Sequence, residues 1–232
     1  MIDQAALRAR LAGVRERIAR AADRAGRDAA SVCLVAVSKT FTAEHVRIAA
    51  DTGQRDFGEN KVQEALEKMR ATSDLSLRWH LLGHLQSNKA KKTTGFHVLH
   101  GVDSTDVLKR VDQAAEAAGA TPDVLIQVDL GQEPTKFGVE PDTLPAIFSA
   151  AALCRAARVR GLMTLPPAFD NPNEARPYFV RLRQLRQDLQ SQGVAASLLS
   201  ELSMGMSHDF EVAVEEGATL IRVGSAIFGE RH

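Results

Sequence analysis

Short apolar runs alternate with helical patterns along the whole chain. The runs are rich in valine, isoleucine and leucine with little polar alternation, as at 124–128, which is typical of parallel strands buried on both faces. Eight strands are expected, at 32–39, 55–57, 78–82, 96–102, 124–128, 159–165, 198–202 and 220–223. Helical patterns separate them, at 43–52, 60–70, 105–118, from about 141 through the 150s, 173–191 and 207–216, with a polar helical stretch from about 87.

Eight strands that alternate with helices are the count for a (β/α)8 barrel. A doubly wound open sheet is the alternative that the same alternation allows. The chain stops soon after the eighth strand, and it opens with an extra amphipathic helix at 2–25 that could replace the missing last one. We therefore expect a single α/β domain over residues 1–232, a TIM barrel with an extra N-terminal helix.

The charge balance excludes some classes of partner. The 232 residues include 29 Lys plus Arg and 29 Asp plus Glu, so the formal net charge is zero. No long-range positive field is then present to recruit nucleic acid or an anionic membrane. No segment approaches roughly 18 consecutive apolar residues, and the N-terminus lacks the apolar core of a signal peptide. We expect a cytoplasmic monomer without nucleic-acid or membrane partners.

Lys39 is the first candidate for chemistry. By the two-residue period of a strand it shares a face with Cys33, Val35 and Val37, at the carboxyl end of an apolar row. Barrels build their sites at that end. Apolar surroundings lower the pKa of a lysine, and the neutral amine can attack a carbonyl to form a Schiff base. On the residues alone, a strand-end lysine that only reaches solvent remains an open alternative.

Arg222 and the segments after the last two strands indicate an anionic ligand. Arg222 lies between apolar residues of the eighth strand, and a buried guanidinium needs either an internal carboxylate or a ligand. The serines and glycines at 203–207 and 224–225 are expected to follow strands seven and eight, where such barrels usually bind phosphate. Glycine permits close backbone approach and serine adds a hydroxyl, although Ser207 could be only a helix cap.

Other polar clusters carry less weight. His80 and His84 are separated by a strand end and by Gly83, so we expect no metal site. The lysines at 89, 91 and 92 are expected to form a solvated helix face. The residues thus predict an amine, an arginine and a phosphate cradle at one barrel mouth. This suits a phosphorylated aldehyde ligand, and it equally suits a cofactor-free Schiff-base aldolase that acts on a sugar phosphate.

Six motifs, in order along the chain, resemble the pyridoxal phosphate homeostasis protein family. They are LVAVSKT (34–40), FGENKVQE (57–64), WHLLGHLQSNK (79–89), GLMT (161–164), LSMGMS (202–207) and VGSAIFG (223–229). The resemblance covers essentially the whole chain. It implies a barrel similar to the N-terminal domain of bacterial alanine racemase, with pyridoxal 5′-phosphate (PLP) bound covalently.

The resemblance also implies roles for particular residues. Lys39 is then the Schiff-base lysine, Arg222 faces the pyridine nitrogen, and Asn60 lies near the ring. The residues that fall where the family binds phosphate are Ser203, Ser207, Gly224 and Ser225.

One position departs from the family pattern. Asp129 stands where the family commonly has asparagine, although the Glu-x-x-Lys-x-Gly pattern that follows is kept at 133–138. An ionised aspartate cannot donate a hydrogen bond, so Asp129 is left out of the expected site.

The choice between carrier and enzyme depends on the second proton-transfer group. Because Arg222 stays protonated, a nitrogen that faces it should be unprotonated, which makes a poorer electron sink. Alanine racemase tolerates this arrangement, but its second domain supplies a tyrosine acid/base. This chain ends at His232, and its only tyrosine, Tyr178, lies in an expected helix. We expect a non-catalytic protein that buffers and delivers PLP, with apo PLP-dependent enzymes as candidate acceptors; a weak racemase is the alternative.

Overall fold

A computed structural model describes residues 2–131 and 137–230 of the chain. Eight parallel strands pair in chain order, and β1 also pairs with β8. This closure confirms the (β/α)8 barrel and excludes the open doubly wound sheet. The strands are β1 (Cys33–Val37), β2 (Asp56–Glu59), β3 (Arg78–Leu81), β4 (Val98–Val102), β5 (Asp123–Val128), β6 (Arg158–Thr164), β7 (Glu201–Met206) and β8 (Leu220–Val223).

Helices surround the barrel. They are α1 (Gln4–Arg24), α2 (Ala43–Ala50), α3 (Val62–Ala71), α4 (Thr105–Ala118), α5 (Leu144–Ala151), α6 (Arg176–Ser191), α7 (Phe210–Glu215) and α8 (Ser225–Phe228). α4 shows why such bounds were readable from the sequence. The Ser104 side chain accepts from the Val107 N–H at its start, and Gly119 in a left-handed conformation ends it. The polar stretch expected as a helix is instead a 3₁₀ turn over Ser87–Lys92.

α1 packs across the outside of the barrel against α7, α8 and α2. Its buried residues recur at helical spacing, as Leu7, Leu11, Val14 and Ile18 show. The Arg10 Nε donates to the carbonyl oxygen of Ile227 at 2.8 Å. The extra helix thus closes the outer layer between the last and the first βα units, as predicted. Within the described residues, no helix is long and apolar enough to cross a membrane.

The expectation for β7 was wrong at both ends. The apolar residues at 198–199 belong to a 3₁₀ turn (Ala196–Leu198) and the connection after it, and the strand itself runs over Glu201–Met206. The Ser-Met-Gly-Met sequence has the composition of a loop, but its first three residues are fully enclosed. Ser203 therefore lies in the barrel wall and not in the loop that follows β7.

The barrel interior is only partly apolar. Its apolar side chains form a small cluster made of Val35, Val37, Leu82, Val98, Leu125, Met163 and Leu220. Most of the remaining hydrophobic core lies between the strands and the helices. Buried polar side chains fill the rest of the interior, among them His80, His100 and Arg222. Since buried polar groups must be hydrogen-bonded, this interior has to satisfy them internally.

Gly205→Ala is expected to destabilise the protein much more than Gly193→Ala. Both glycines have nearly the same positive φ, 94° and 93°, so each variant carries about 1–2 kcal/mol of backbone strain. At Gly205 the added Cβ would also lie 2.5 Å from the Ala213 Cβ, whereas at Gly193 nothing lies within 4 Å. We expect a total loss of about 3–5 kcal/mol for Gly205→Ala, measured by urea unfolding. Equal losses for the two variants would contradict the close approach of β7 and α7.

Candidate ligand-binding site

A cavity of about 630 Å³ opens at the carboxyl ends of the strands. Six of the seven residues predicted for the site line it, namely Lys39, Asn60, Ser207, Arg222, Gly224 and Ser225. Ser203 is not among the lining residues, because it lies deeper in the barrel wall. The structure therefore does not bring Ser203 to the loops for which a phosphate contact was predicted.

Lys39 leaves the barrel wall two residues after β1 and is half-buried. The next residue, Thr40, has a φ of 72°, and in the ranges 2–131 and 137–230 it is the only non-glycine residue with a positive φ. The Thr40 N–H donates to Glu64 Oε1 at 2.7 Å, which holds this turn. Such a conformation costs about 1–2 kcal/mol and persists only where surrounding contacts impose it. The direction in which Lys39 enters the cavity is therefore fixed by its neighbours.

A buried ionic cluster lies behind Lys39, and we call it the Lys68 cluster. Lys68 Nζ donates to the Ser38 carbonyl oxygen at 2.7 Å, to Glu59 Oε1 at 2.7 Å and to Glu64 Oε1 at 2.8 Å. The Ser38 hydroxyl also donates to Glu59 Oε1 at 2.6 Å. Burial raises the pKa of Glu59, while its hydrogen bonds from Lys68 and Ser38 oppose that rise. The cluster ties the residue before Lys39 to α3, and sequence reasoning had missed it.

Arg222 is the third residue of β8 and is almost completely buried. Its Nη1 donates to Ser203 Oγ at 2.5 Å, and its Nη2 donates to the Thr164 carbonyl oxygen at 2.9 Å. No carboxylate of the described residues forms an ion pair with it, so the alternative of an internal salt bridge is wrong for this part of the chain. Burial lowers the pKa of Arg222 to about 10. The guanidinium remains charged at neutral pH.

The loops after β7 and β8 are joined through one hydroxyl. Ser207 Oγ accepts from the Gly224 N–H at 3.0 Å and from the Ala226 N–H at 3.4 Å. A hydroxyl that accepts two hydrogen bonds still has its own proton to donate to an anion. A Cβ at Gly224 would lie 3.2 Å from the Val37 carbonyl oxygen, so this loop sits against the end of β1. These two loops therefore meet at the place where the sequence predicts a phosphate cradle.

Ser207 is not the cap of the helix that follows it in sequence. Asp209 occupies the N-cap position of α7, and Asp209 Oδ1 accepts from the Met206 N–H. The Ser207 hydroxyl instead serves the main chain after β8. The alternative that Ser207 is only a cap for its own helix is therefore wrong.

Positive charge dominates the cavity. Lys39 and Arg222 line it, together with two histidines, and none of the described lining residues is an aspartate or a glutamate. A concave site lined by one sign of charge concentrates ligands of the opposite sign. The cavity therefore suits an anionic ligand.

The two lining histidines are both held by protein partners. The His84 ring stacks on Phe137 with centroids 3.8 Å apart, and His84 Nδ1 lies 3.0 Å from Asp103 Oδ2. His208 Nε2 lies 2.9 Å from the Asp170 carbonyl oxygen. His80, which the sequence paired with His84 as a rejected metal motif, contacts a different set of residues inside the barrel.

Asp129, which departs from the family pattern, directly follows β5. Asp129 Oδ1 accepts from the Gly131 N–H at 3.1 Å. Glu133 and Lys136 of the following pattern lie outside the described residues. Gly138 is the last residue of the pattern, and a Cβ added there would lie only 2.6 Å from the Asp129 backbone nitrogen. Glycine is thus required where residue 138 approaches the carboxyl end of β5.

Comparisons with known proteins agree with this geometry. Residues 2–232 match the family model described as alanine racemase, N-terminal domain. The pyridoxal phosphate homeostasis protein of Aquifex aeolicus is 46% identical over 223 residues, which cover 96% of this chain and 97% of that protein. The structure of PipY from Synechococcus elongatus PCC7942 with PLP bound has a TM-score of 0.85 and 40% identity, covering 96% and 100%. An alanine racemase of Clostridium difficile 630 shares the fold, with a TM-score of 0.73 at 15% identity, covering 97% of this chain and 57% of that one.

The closed barrel and its carboxyl-end cavity define the class of the protein, a barrel of the alanine racemase N-terminal type. Within that class the similarity to the Aquifex protein extends over nearly the whole length of both chains. The chain belongs to the pyridoxal phosphate homeostasis protein family.

Proposed function

We propose that the protein binds PLP as a Schiff base on Lys39 and buffers or delivers it without catalytic turnover of its own. The observation that carries this proposal is the meeting of Lys39, Arg222 and the Ser207–Gly224 loops at one cavity. The names of the relatives and the PLP bound in the PipY structure support it.

The groups of the site correspond to the parts of PLP. The amine of Lys39 suits the aldehyde carbon. Arg222 has only donors, so it suits an unprotonated ring nitrogen. Ser207, Gly224 and Ser225 suit the phosphate, and Asn60 lies at the side of the same cavity. When bound, PLP supplies an aldehyde and an electron-poor ring, and the protein supplies binding and orientation.

Among the described residues, the cavity lining includes no tyrosine of the kind that a racemase uses opposite its lysine. Tyr178, the only tyrosine of the chain, lies in α6 and contacts Phe169. No tyrosine or carboxylate occurs among the described residues that line the cavity. A ring nitrogen facing the charged Arg222 also stays unprotonated, which weakens the ring as an electron sink. These features favour a carrier over an enzyme.

Titration of the purified protein with PLP tests the binding. We expect one equivalent to produce a visible Schiff-base absorbance, and borohydride reduction to add the mass of one PLP to the chain. Peptide mass spectrometry should locate that mass on Lys39. A colourless protein that instead traps a sugar phosphate under borohydride would support the cofactor-free aldolase and overturn the proposal.

Proton–deuterium exchange tests the absence of turnover. The PLP-loaded protein is incubated with the common amino acids in D₂O, and exchange at Cα is compared with that caused by free PLP. We expect no excess over free PLP. Delivery is checked by reactivation of an apo PLP-dependent enzyme, where the loaded protein should transfer its cofactor. Exchange well above free PLP, together with no transfer, would favour the racemase.

A further inference from the structure

A chain of buried hydrogen bonds crosses the barrel interior and ends at Arg222. Asp56 Oδ1 lies 3.1 Å from His80 Nε2, and His80 Nδ1 lies 2.9 Å from His100 Nε2. His100 Nδ1 lies 2.8 Å from Ser203 Oγ, and Ser203 Oγ accepts from Arg222 Nη1. We call these five residues the Asp56–Arg222 chain. Each of them is at least nine-tenths buried.

The chain connects the two ends of the barrel. Asp56 is the first residue of β2, at the amino end of the strands, whereas Arg222 lines the cavity at the carboxyl end. The His100–Ser203 contact joins β4 to β7, which are not neighbours in the barrel, so it passes through the interior. At the amino end, the half-exposed Arg78 holds Asp56 with two hydrogen bonds.

The charge of Asp56 decides which atoms donate. Burial opposes its ionisation, but hydrogen bonds from His80 and Arg78 hold the pKa of Asp56 well below its usual range. An ionised carboxylate can only accept hydrogen bonds. The proton between Asp56 and His80 must therefore lie on His80 Nε2.

The remaining protons follow from the neutrality of the two histidines. Burial lowers the pKa of His80, and it lowers the pKa of His100 well below the usual value, with the positive charge of Arg222 acting in the same direction on His100. A neutral imidazole has one donor and one acceptor. His80 Nδ1 then accepts from His100 Nε2, and His100 Nδ1 accepts from the Ser203 hydroxyl. Every donor in the chain points toward Asp56.

We infer that Asp56, His80, His100 and Ser203 are positioning residues, whose one-way hydrogen-bond chain holds the Arg222 guanidinium in place at the cavity, where it would face the ring nitrogen of PLP. The inference rests on the proposed function and assigns to Ser203 a contact with Arg222 in place of the predicted contact with phosphate. The Ser203 hydroxyl accepts a hydrogen bond from one nitrogen of the guanidinium and leaves its positive charge unneutralised. A neighbouring carboxylate would neutralise that charge. The negative charge of Asp56 lies at the far end of the barrel, where it pairs with Arg78.

The tautomers of His80 and His100 test the Asp56–Arg222 chain in the PLP-free protein. We expect ¹⁵N NMR to show His80 and His100 as neutral Nε2–H tautomers at about pH 7 to about pH 8, with slowly exchanging protons. The signals are assigned by their loss in His80→Gln and His100→Gln. Arg78 and His97 also face His80, and both oppose its protonation. An Nδ1–H tautomer or an imidazolium at either position would overturn the proton order. This result does not depend on whether PLP binds.

Three variants and a matched control test the effect on the ligand. Ser203→Ala leaves Arg222 Nη1 without its acceptor, and we expect PLP affinity to fall about tenfold with a changed absorption maximum of the bound ligand. Ser203→Thr keeps the hydroxyl and should restore both. Asp56→Asn should change the spectrum in the same direction by a smaller amount.

The control is Asp123→Asn. Asp123 and Arg158 form an ion pair at 2.8 Å at the amino ends of β5 and β6, of the same type as the pair of Asp56 and Arg78, but they are not part of the Asp56–Arg222 chain. We expect no change of affinity or spectrum for it. If Ser203→Ala does not fold, the comparison of Asp56→Asn with Asp123→Asn decides, and indistinguishable spectra would overturn the inference. A wild-type protein that binds no PLP would instead refute the proposed function, while the NMR result would stand.

Discussion

Lys39→Ala is expected to abolish the covalent attachment of PLP completely. Lys39 is the only lysine among the described residues that line the cavity, and its turn is fixed by Thr40 and the Lys68 cluster. No other described amine of the lining can therefore reach the aldehyde. The phosphate cradle is unchanged in this variant, so PLP should still bind reversibly and show the spectrum of the free aldehyde. Mass spectrometry after borohydride reduction measures the loss.

Lys61→Ala is the matched control for that experiment. Lys61 lies one residue after Asn60 and lines a neighbouring cavity but not the one that holds Lys39. We expect it to keep one reducible equivalent of PLP and the wild-type spectrum. A Lys39→Ala protein that retained the same covalent adduct would show that the lysine assignment is wrong.

Lys68→Met is expected to destabilise the fold by about 3–5 kcal/mol near neutral pH, because it leaves the carboxylate of Glu59 buried without its cation. Glu59 is fully buried, and its Oε2 already has no hydrogen-bond partner within the described part of the chain. The variant should also loosen the Ser38 carbonyl and thereby weaken PLP binding at Lys39. Urea unfolding and PLP titration measure the two effects separately.

The loss should depend on pH in a defined direction. Without Lys68, burial raises the pKa of Glu59 further above its value in the unfolded chain. Such a group supports folding below its unfolded pKa, and that support is lost as pH rises through the folded pKa. The deficit of Lys68→Met should therefore be larger at about pH 8 than at about pH 5. A deficit that grew toward acid would contradict the buried carboxylate.

Arg47→Met is the control for Lys68→Met. Arg47 contacts Asp74 at 2.6 Å, a distance close to that between Lys68 and Glu59. Unlike Lys68 and Glu59, however, Arg47 and Asp74 are both well exposed. Surface ion pairs contribute little to stability, so we expect almost no change in the unfolding midpoint.

The barrel was predictable because its strands have a local signature. β8 has the predicted bounds, and its run of apolar residues needs no tertiary information to be read as a buried strand. β7 was misplaced because glycine, serine and methionine are typical of a loop, and because apolar residues at 198–199 resembled a strand. Only the pairing of β7 with β6 and β8 shows that Ser203 lies in the wall.

The candidate site was predictable where its residues lie at or just after the carboxyl ends of strands. Lys39, Ser207 and Gly224 meet because parallel strands bring their carboxyl ends together. The contact between His100 and Ser203 joins residues 103 positions apart, and no spacing rule reveals such a pair. Only the Glu64–Lys68 pair of the Lys68 cluster, four residues apart on a helix, could have been noticed in the sequence.

The position of α1 has a consequence for the order in which the chain can fold during synthesis. α1 and β1 are synthesised well before α7, α8 and β8, against which they pack. The Arg10 side chain donates to a carbonyl oxygen 217 residues later in the chain. Until then the first strand presents an open edge, and of the helices that pack against α1 only α2 is available to cover its apolar stripe. We expect a nascent chain of this topology to expose apolar surface and an unpaired strand edge for longer than one whose early segments pair locally. Slowing translation of the last βα unit should therefore increase aggregation more than slowing an earlier one.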